Sequence, residues 1–286
     1  MSGAAEPPPG YEVDIAGGWW SSADASANAR HLEARGRRVA VYLGDAAETL
    51  YSLPARSVDV AFADPPYFLS RKGGTTCKGG KRAQVSKGTW DTPTTPERQR
   101  AFNVVWLAAV ARVLKPTGSI WISGTAHCIH DIDTAAVAGL GFRRINEVVW
   151  EKPNPPPNLG RRCLTHSHET LLWLAAPGRG RNYFAYDELR TANGGKQLKD
   201  VWTFPAPGKA EKARGGGHPT QKPEALVERC LRAACPRGGL VLDLFGGSGT
   251  TGEAAIKVGC DAVLIDRERQ WFEVMERRMR AALQEG

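Results

Sequence analysis

Val241-Leu242-Asp243-Leu244-Phe245-Gly246-Gly247-Ser248-Gly249-Thr250-Thr251-Gly252 is the stretch on which the fold turns. An apolar run ends in an acid, an aromatic and a cluster of glycines, and the helix former Glu253-Ala-Ala-Ile256 follows. That pattern reads as a strand passing through a glycine turn into a helix. Gly247-x-Gly249-x-x-Gly252 matches the nucleotide fingerprint, whose glycines let the backbone approach a ligand and let helix pack on strand. The next apolar run, Ala262 to Asp266, ends in an acid placed for ribose hydroxyls. The glycines alone do not separate a nicotinamide dinucleotide from S-adenosylmethionine. No Gly-Lys-Ser/Thr follows, so this is not the phosphate loop of nucleotide triphosphatases.

Upstream, strands alternate with helices, the mark of a parallel α/β sheet. Val39 to Leu43 reads as a strand ending at Gly44-Asp45, with a short helix through Leu50. Ser57 to Ala63 is almost continuously apolar, as in strands buried on both faces. Thr95-Pro96-Glu97 opens a helix with a capping residue, a proline at its first position and an acid in its first turn. Phe102, Val105, Trp106, Ala109, Val110, Val113 and Leu114 continue it at helical spacing, until Lys115-Pro116-Thr117-Gly118 stops it. Further strands are read at 119–123, 145–150 and 169–174, with a weaker helix near 131–140. A helix from about Pro223 and a last helix carrying Trp271, Met275 and Met279 complete the pattern.

Asp64-Pro65-Pro66-Tyr67 directly follows the apolar run ending at Ala63. Two prolines fix their φ angles near −65°, so the tetrapeptide holds a carboxylate, backbone carbonyls and a ring in a set geometry. The oxygens can accept hydrogen bonds from an exocyclic amine, and Tyr67 can stack on a planar heterocycle. An enzyme acting on the amino group of a flipped nucleobase needs this set. The bland reading is a strand-terminating turn. Asp243, just before the glycine turn, favours S-adenosylmethionine: it can bind a cationic methionine ammonium, whereas it would repel a pyrophosphate.

The chain has 286 residues, 42% hydrophobic and 24% charged, and a net charge of +8. A basic globular protein of this size points to a polyanionic partner. Arg71, Lys72, Lys78, Lys81, Arg82 and Lys87 fall between Phe68 and Trp90 with no acid among them. Residues 68 to 95, rich in glycine, therefore read as a long loop that clamps DNA. Residues 1–37 read as an extension, with Trp19-Trp20 docked on the body. Residues 38–177 are the catalytic part of one domain, 178–217 a polar, basic recognition region beside the sheet, and 218–286 the cofactor-binding part.

No apolar run is long enough to span a bilayer, and the first residues do not form a secretory signal. A cytoplasmic protein with reduced thiols is expected, because the six cysteines form no Cys-x-x-Cys pair. The histidines and cysteines at 127–130 and 163–168 fit no common zinc module, so no metal is expected.

Taken together, these residues resemble the amino-methylating DNA methyltransferases of the permuted β group. In that group the catalytic Asp-Pro-Pro-Tyr comes first, then a recognition region, then the cofactor Phe-x-Gly-x-Gly. Further agreement lies in Gly44-Asp45, Lys115-Pro116-x-Gly118, Trp150-x-Lys152-x-Asn154-Pro155-x-Pro157-Asn158, His166-Ser-x-Glu169 and His218-Pro-Thr-Gln-Lys-Pro223. Phe68-Leu-Ser70 and the run ending at Asp91 look most like the accessory adenine methyltransferases of GATC restriction systems. The resemblance covers about residues 39 to 280; Leu244 stands where the family often has Pro.

The resemblance implies a Rossmann-like, S-adenosylmethionine-dependent methyltransferase fold with a circularly permuted, mostly parallel, seven-stranded sheet. It implies that Asp64, Pro65, Pro66 and Tyr67 are catalytic. Asp45 would contact the cofactor's adenine and Asp266 its ribose. Phe245, Gly247, Ser248, Gly249 and Thr250 would surround the methionine arm with Asp243, and Thr220 and Lys222 would lie near its carboxylate. Double-stranded DNA, or single-stranded DNA, would be the substrate; a second copy of the chain and a cognate restriction endonuclease are candidate partners. Cytosine-N4 methylation is the near rival, and Asp before Pro-Pro-Tyr leans towards adenine N6. C5-cytosine chemistry needs a nucleophilic cysteine, and Cys235-Pro236 reverses the order expected there. RNA base methylation, a nicotinamide-dependent oxidoreductase and a catalytically silent nucleic-acid binder each explain fewer of these features.

Overall fold

The computed structural model describes residues 27–69, 75–78, 81–84, 91–159 and 161–285, with the backbone alone for 75–78 and 81–84. Trp19, Trp20, Arg71, Lys72 and Lys87 lie outside the described residues, as do the side chains of Lys78, Lys81 and Arg82.

The strands are β1 (Ala29–Ala34), β2 (Arg37–Leu43), β3 (Val58–Ala63), β4 (Thr75–Lys78), β5 (Lys81–Gln84), β6 (Leu114–Gly124), β7 (Arg143–Glu151), β8 (His168–Ala175), β9 (Val201–Thr203), β10 (Leu240–Asp243) and β11 (Asp261–Asp266). The helices are α1 (Ala46–Ser52), α2 (Pro96–Val113), α3 (Ile129–Thr134, continued by a π-helical turn Ala135–Gly139), α4 (Tyr186–Ala192), α5 (Lys209–Arg214), α6 (Glu224–Ala234), α7 (Thr250–Lys257) and α8 (Arg269–Glu285).

The described residues form one nine-stranded sheet in the order β1-β2-β11-β10-β3-β6-β8-β7-β9. It is the expected seven strands with β1 and β9 added at its two edges. β2, β11, β10, β3 and β6 run parallel, β8 reverses before β7 and β9 resume the direction, and β1 at the other edge is antiparallel to β2. The central pair joins distant parts of the chain: Val241 of β10 lies opposite Val60 of β3. The carboxyl ends of these parallel strands therefore share one edge with the amino end of β8.

Alternation along the strands builds two cores. Val39, Val41, Val60, Phe62 and Val241 face α6, α7 and α8. Ala40, Val58, Ala61, Leu240 and Leu242 face α1, α2 and α3. Helix α2 starts as its sequence dictates: the Thr95 hydroxyl accepts the Arg98 N–H at 3.3 Å, with Pro96 at the first position. Such a cap contributes about 1 kcal/mol.

Four differences from the sequence reading have physical causes. β1 lies inside the presumed extension; its hairpin with β2 turns at Arg35 and Gly36, both at positive φ (51° and 69°). Residues 68–95 are not all loop, because β4 and β5 pair antiparallel across the two-residue Gly79-Gly80 connection, with Lys78 opposite Lys81. β6 begins at Leu114, so Lys115 to Gly118 lie within it, and the register shifts between Val58 and Val60. Residues 178–217 are not wholly beside the sheet: β9 joins its edge, with Trp202 opposite Trp150. Among the described residues no helix is long and apolar enough to cross a membrane.

Candidate active site

Four adjacent parallel strands bring four acids to the same edge. Asp45 follows β2, Asp266 ends β11, Asp243 ends β10 and Asp64 follows β3. No local feature of the sequence links them; the strand order does.

A cleft of about 850 Å³, including space open to solvent, runs past Asp45, Asp266, Phe245 and Asp64. Phe102, Val105 and Trp106 of α2 form one wall. Val105, part of the apolar spacing of α2, is 54% exposed at the cleft, and Leu107, outside that spacing, is buried. The wall is aromatic: Phe102 and Trp106 lie 6.1 and 5.6 Å from the Phe245 ring, and Phe68 meets Phe102 edge-on at 5.6 Å. A smaller cleft lies beside it, lined by Asp243, Ser248, Thr250 and Lys222. The two share Asp64, His218, Thr220, Phe245 and Gly247.

The glycine turn is shaped by its neighbours. Gly247 has φ +46°, and a Cβ there would lie 3.0 Å from His218 Nε2. Its N–H donates to Asp266 Oδ2 at 2.9 Å, while the Glu268 N–H donates to Oδ1 at 2.8 Å. Gly249 caps α7 at φ 76°. A Cβ on Gly252 would collide with Met279 and Leu264, so this glycine allows close helix packing. Ser248 and Thr250 hydroxyls meet at 3.0 Å, and Arg278 Nη1 donates to the Ser248 carbonyl at 2.8 Å and to Thr250 Oγ1 at 3.0 Å. Arg278 is a buried clamp that composition hides. Its position on the face of Met275 and Met279 is the signal that could have found it.

Burial dominates the titration of two acids here. It lifts Asp243 to about 7, against the Thr251 hydroxyl and Phe245 N–H, which stabilise the carboxylate. It lifts Asp266 to about 6, against the N–H groups of Glu268 and Gly247. Asp45 is partly committed: its Oδ1 accepts the Ala47 and Glu48 N–H groups at 2.9 and 3.3 Å and caps α1.

The Asp64 tetrapeptide sits where the clefts meet. Tyr67 O–H donates to Asp64 Oδ1 at 2.7 Å, and Lys222 Nζ donates to Asp64 Oδ2 at 2.5 Å. Lys222 was expected near a methionine carboxylate; it lines the smaller cleft with Thr220 and Asp243, and its ammonium is held by Asp64, with Glu169 at 3.5 Å. Burial lowers the Lys222 pKa, but Asp64 and Glu169 outweigh it, so the net shift is upward and the ammonium persists. Tyr67 is buried at 7% exposure rather than freely presented, with Ser123 Oγ 3.3 Å from its hydroxyl. Burial, then Asp64 and Glu169, hold its phenol well above the usual range, so it stays neutral. Glu169 accepts from Lys152 Nζ at 2.5 Å, which extends the network to the end of β7. Lys152 and Glu169 stand in matching sequence motifs, yet their meeting depends on β7 and β8 pairing. Phe68, next along, has φ 55°, a strained value for a bulky residue, and turns the chain out of the site.

These residues fit S-adenosylmethionine: an aromatic wall for a planar base, strand-end acids for hydroxyls, and a buried acid for a cationic arm. Residues 58–277 match the family model described as DNA methylase, for N6 and N4 methyltransferases. The chain belongs to this DNA methylase family. The methylase is 42% identical over 238 residues to the type II methyltransferase M2.DpnII of Streptococcus pneumoniae, covering 83% of this chain and 88% of that one. It is 38% identical over 248 residues to M2.MboI of Moraxella bovis, with 87% and 90% covered. Its fold is that of the cytosine-N4-specific PvuII DNA methyltransferase (TM-score 0.64, 19% identity, 86% and 91% covered). The fold also matches a DNA modification methylase of Thermus thermophilus complexed with S-adenosyl-L-methionine (TM-score 0.59, 22% identity, 85% and 93% covered).

Proposed function

We propose that this DNA methylase transfers the methyl group of S-adenosylmethionine to the exocyclic N6 of adenine, on a base swung out of the duplex, at GATC. The observation that carries the amino-group chemistry is the Asp64 carboxylate, fixed at the junction of the two clefts by Lys222 on one oxygen and Tyr67 on the other, while adenine and GATC rest on the motif resemblance and the type II relatives. When bound, S-adenosylmethionine supplies an electrophilic methyl group.

An aryl amine is a poor nucleophile because its lone pair is delocalised into the ring. Asp64 and the Pro65 carbonyl accept hydrogen bonds from the amine N–H groups and localise that lone pair. Positive charge developing on nitrogen then faces acceptors that need no reorganisation. Lys222 and Tyr67 set the direction of the carboxylate; Pro66 shapes the rim.

For the cofactor, Asp45 and Asp266 flank the adenosine end, and Phe245, Gly247, Gly249 and Asp243 the methionine end, beside Thr220. Ser248 and Thr250 contribute through the shape of the turn. Arg71, Lys72, Lys78, Lys81, Arg82 and Lys87 are proposed DNA contacts on their charge. The 178–217 region is proposed to read the site. The type II relatives support a cognate restriction endonuclease as partner and the cytoplasm as location, and a homodimer is part of the proposal.

The raised pKa of Asp243 makes a signed prediction. Below about 7 this acid carries a proton and gives nothing to a cationic ligand. Cofactor affinity should therefore rise with pH through 7. Below that, Kd should grow about tenfold per pH unit, and more steeply below 6, where Asp266 also protonates. Asp243→Asn should bind more weakly at high pH and lose the limb near 7. Calorimetric titration across this range checks it; a wild-type Kd independent of pH would remove Asp243 from the site.

Incubating unmethylated plasmid with protein and S-adenosylmethionine, then reading it by single-molecule sequencing, tests the proposal. Modified adenines confined to GATC are expected. Modified adenines elsewhere would discard the site and keep the chemistry.

A further inference from the structure

The segment joining β7 to β8 leaves and re-enters the sheet at the edge that carries Asp64. Its base is closed by the Lys152 N–H donating to the Ser167 carbonyl at 2.7 Å. One side chain separates that base from the catalytic tetrapeptide: Lys152 holds Glu169 at 2.5 Å, and Glu169 lies 3.5 Å from the Tyr67 hydroxyl. Further out, His166 packs edge-on against His127 at 5.9 Å, from the turn after β6. Asn158 Nδ2 donates to the Cys163 carbonyl at 3.2 Å and ties the two arms of the strap together.

Residues 152–167 contain Lys152, Arg161 and Arg162 and no acid. Arg161 and Arg162 are exposed and have no carboxylate partner among the described residues. Leu164, beside them, is 90% exposed. Burying such a side chain is favourable, and nothing in the described fold supplies that burial. Two guanidiniums open to solvent and a projecting apolar side chain complement a phosphate backbone and a base stack.

We propose that this strap is a second DNA-engaging element. Arg161 and Arg162 neutralise phosphates beside the target, and Leu164 enters the gap left in the stack by the swung-out base. Apolar side chains inserted between base steps act in this way, and the cost they offset is that of unstacking and unpairing the target. The inference rests on the base-flipping reading above.

The test uses the full chain, Arg161→Ala/Arg162→Ala and Leu164→Ala, on a duplex that the wild type methylates and on the same duplex with the target base mispaired. The double variant should reduce the log–log salt slope of duplex binding by about 1.8, about 0.9 for each lost phosphate contact. Leu164→Ala should leave that slope and the melting curve unchanged. It should lower kcat/KM on the paired duplex about tenfold, and the mispaired target, which flips at lower cost, should restore it to within about twofold of wild type. An unchanged slope overturns the arginine assignment. A Leu164→Ala loss that is equal on both duplexes, or absent on both, overturns the wedge. Failure of the adenine reading shows separately, as methyl groups on another atom in the wild-type product.

Discussion

Asp64→Asn is expected to lower kcat about 10²–10³-fold while the Kd for S-adenosylmethionine stays within about threefold. The size follows from removing one preorganised electrostatic contact to developing charge. The amide preserves the shape of the carboxylate, its one oxygen can still accept from Lys222 and its Nδ2–H can donate to the Tyr67 hydroxyl oxygen, so the fold around it should hold. It loses the negative charge opposite the amine, and one of its oxygens becomes a donor. Asp64→Ala is a harsher test, because it leaves the Lys222 ammonium, 6% exposed, with Glu169 at 3.5 Å as its nearest carboxylate and the Thr220 carbonyl at 3.4 Å. Single-turnover kinetics with labelled cofactor, together with calorimetry of cofactor binding, measure both quantities. Near-normal turnover in Asp64→Asn would end the catalytic assignment.

The second large effect concerns Lys222. Placed at a methionine carboxylate, its loss would weaken cofactor binding and leave the fold alone. Placed where the structure has it, between Asp64 and Glu169, its loss leaves the Asp64 carboxylate without its cation and Glu169 with Lys152 alone. Breaking a buried pair by removing one partner costs about 3–5 kcal/mol. In a chain of this size that corresponds to roughly 6–20 °C in Tm. Lys222→Met is expected to show that loss, with kcat falling as Asp64 loses its orientation. Thermal unfolding monitored by circular dichroism gives the first number and turnover at low temperature the second. A variant with wild-type Tm and kcat, weakened only in cofactor affinity, would return Lys222 to the methionine end.

The strands of the parallel sheet were legible because burial on both faces demands uninterrupted apolar runs, as in Val58 to Ala63 and Ala262 to Asp266. The glycine turn was legible because Gly247 and Gly249 need positive φ. β1 was not, since its sequence Ala-Arg-His-Leu-Glu-Ala buries only Ala29 and Leu32 and looks like a polar extension. β9 is three residues long and holds the edge with one buried side chain, Trp202. The β4–β5 hairpin carried its own signal, two threonines and the dipeptide Gly79-Gly80 between the strands, which the density of lysine and glycine around it obscured.

The candidate site divides in the same way. Asp64, Asp243 and Asp266 each end a recognisable strand, so their position at one edge follows once the strands run parallel. The charge network does not follow. Lys222 reaches Asp64 across 158 residues of sequence, and Glu169 reaches Tyr67 across 102. Whether a lysine two residues past Thr220 points at one carboxylate or another is decided by side-chain direction at the end of a loop. Periodicity carries no information about that. Val105 shows the converse: its helical spacing was right, but the face it occupies overlooks the cleft rather than the core.

The most direct measurement is of the product. Methyl-free DNA is incubated with the protein and isotope-labelled S-adenosylmethionine, digested to nucleosides and analysed by mass spectrometry. The arrangement of Asp64, Pro65 and Tyr67 predicts label on an exocyclic amine, the likeness to the type II relatives places it in N6-methyladenine, and none is expected with Asp64→Asn on the same timescale. Label in N4-methylcytosine would contradict the adenine assignment, and label in 5-methylcytosine would contradict amino-group chemistry altogether.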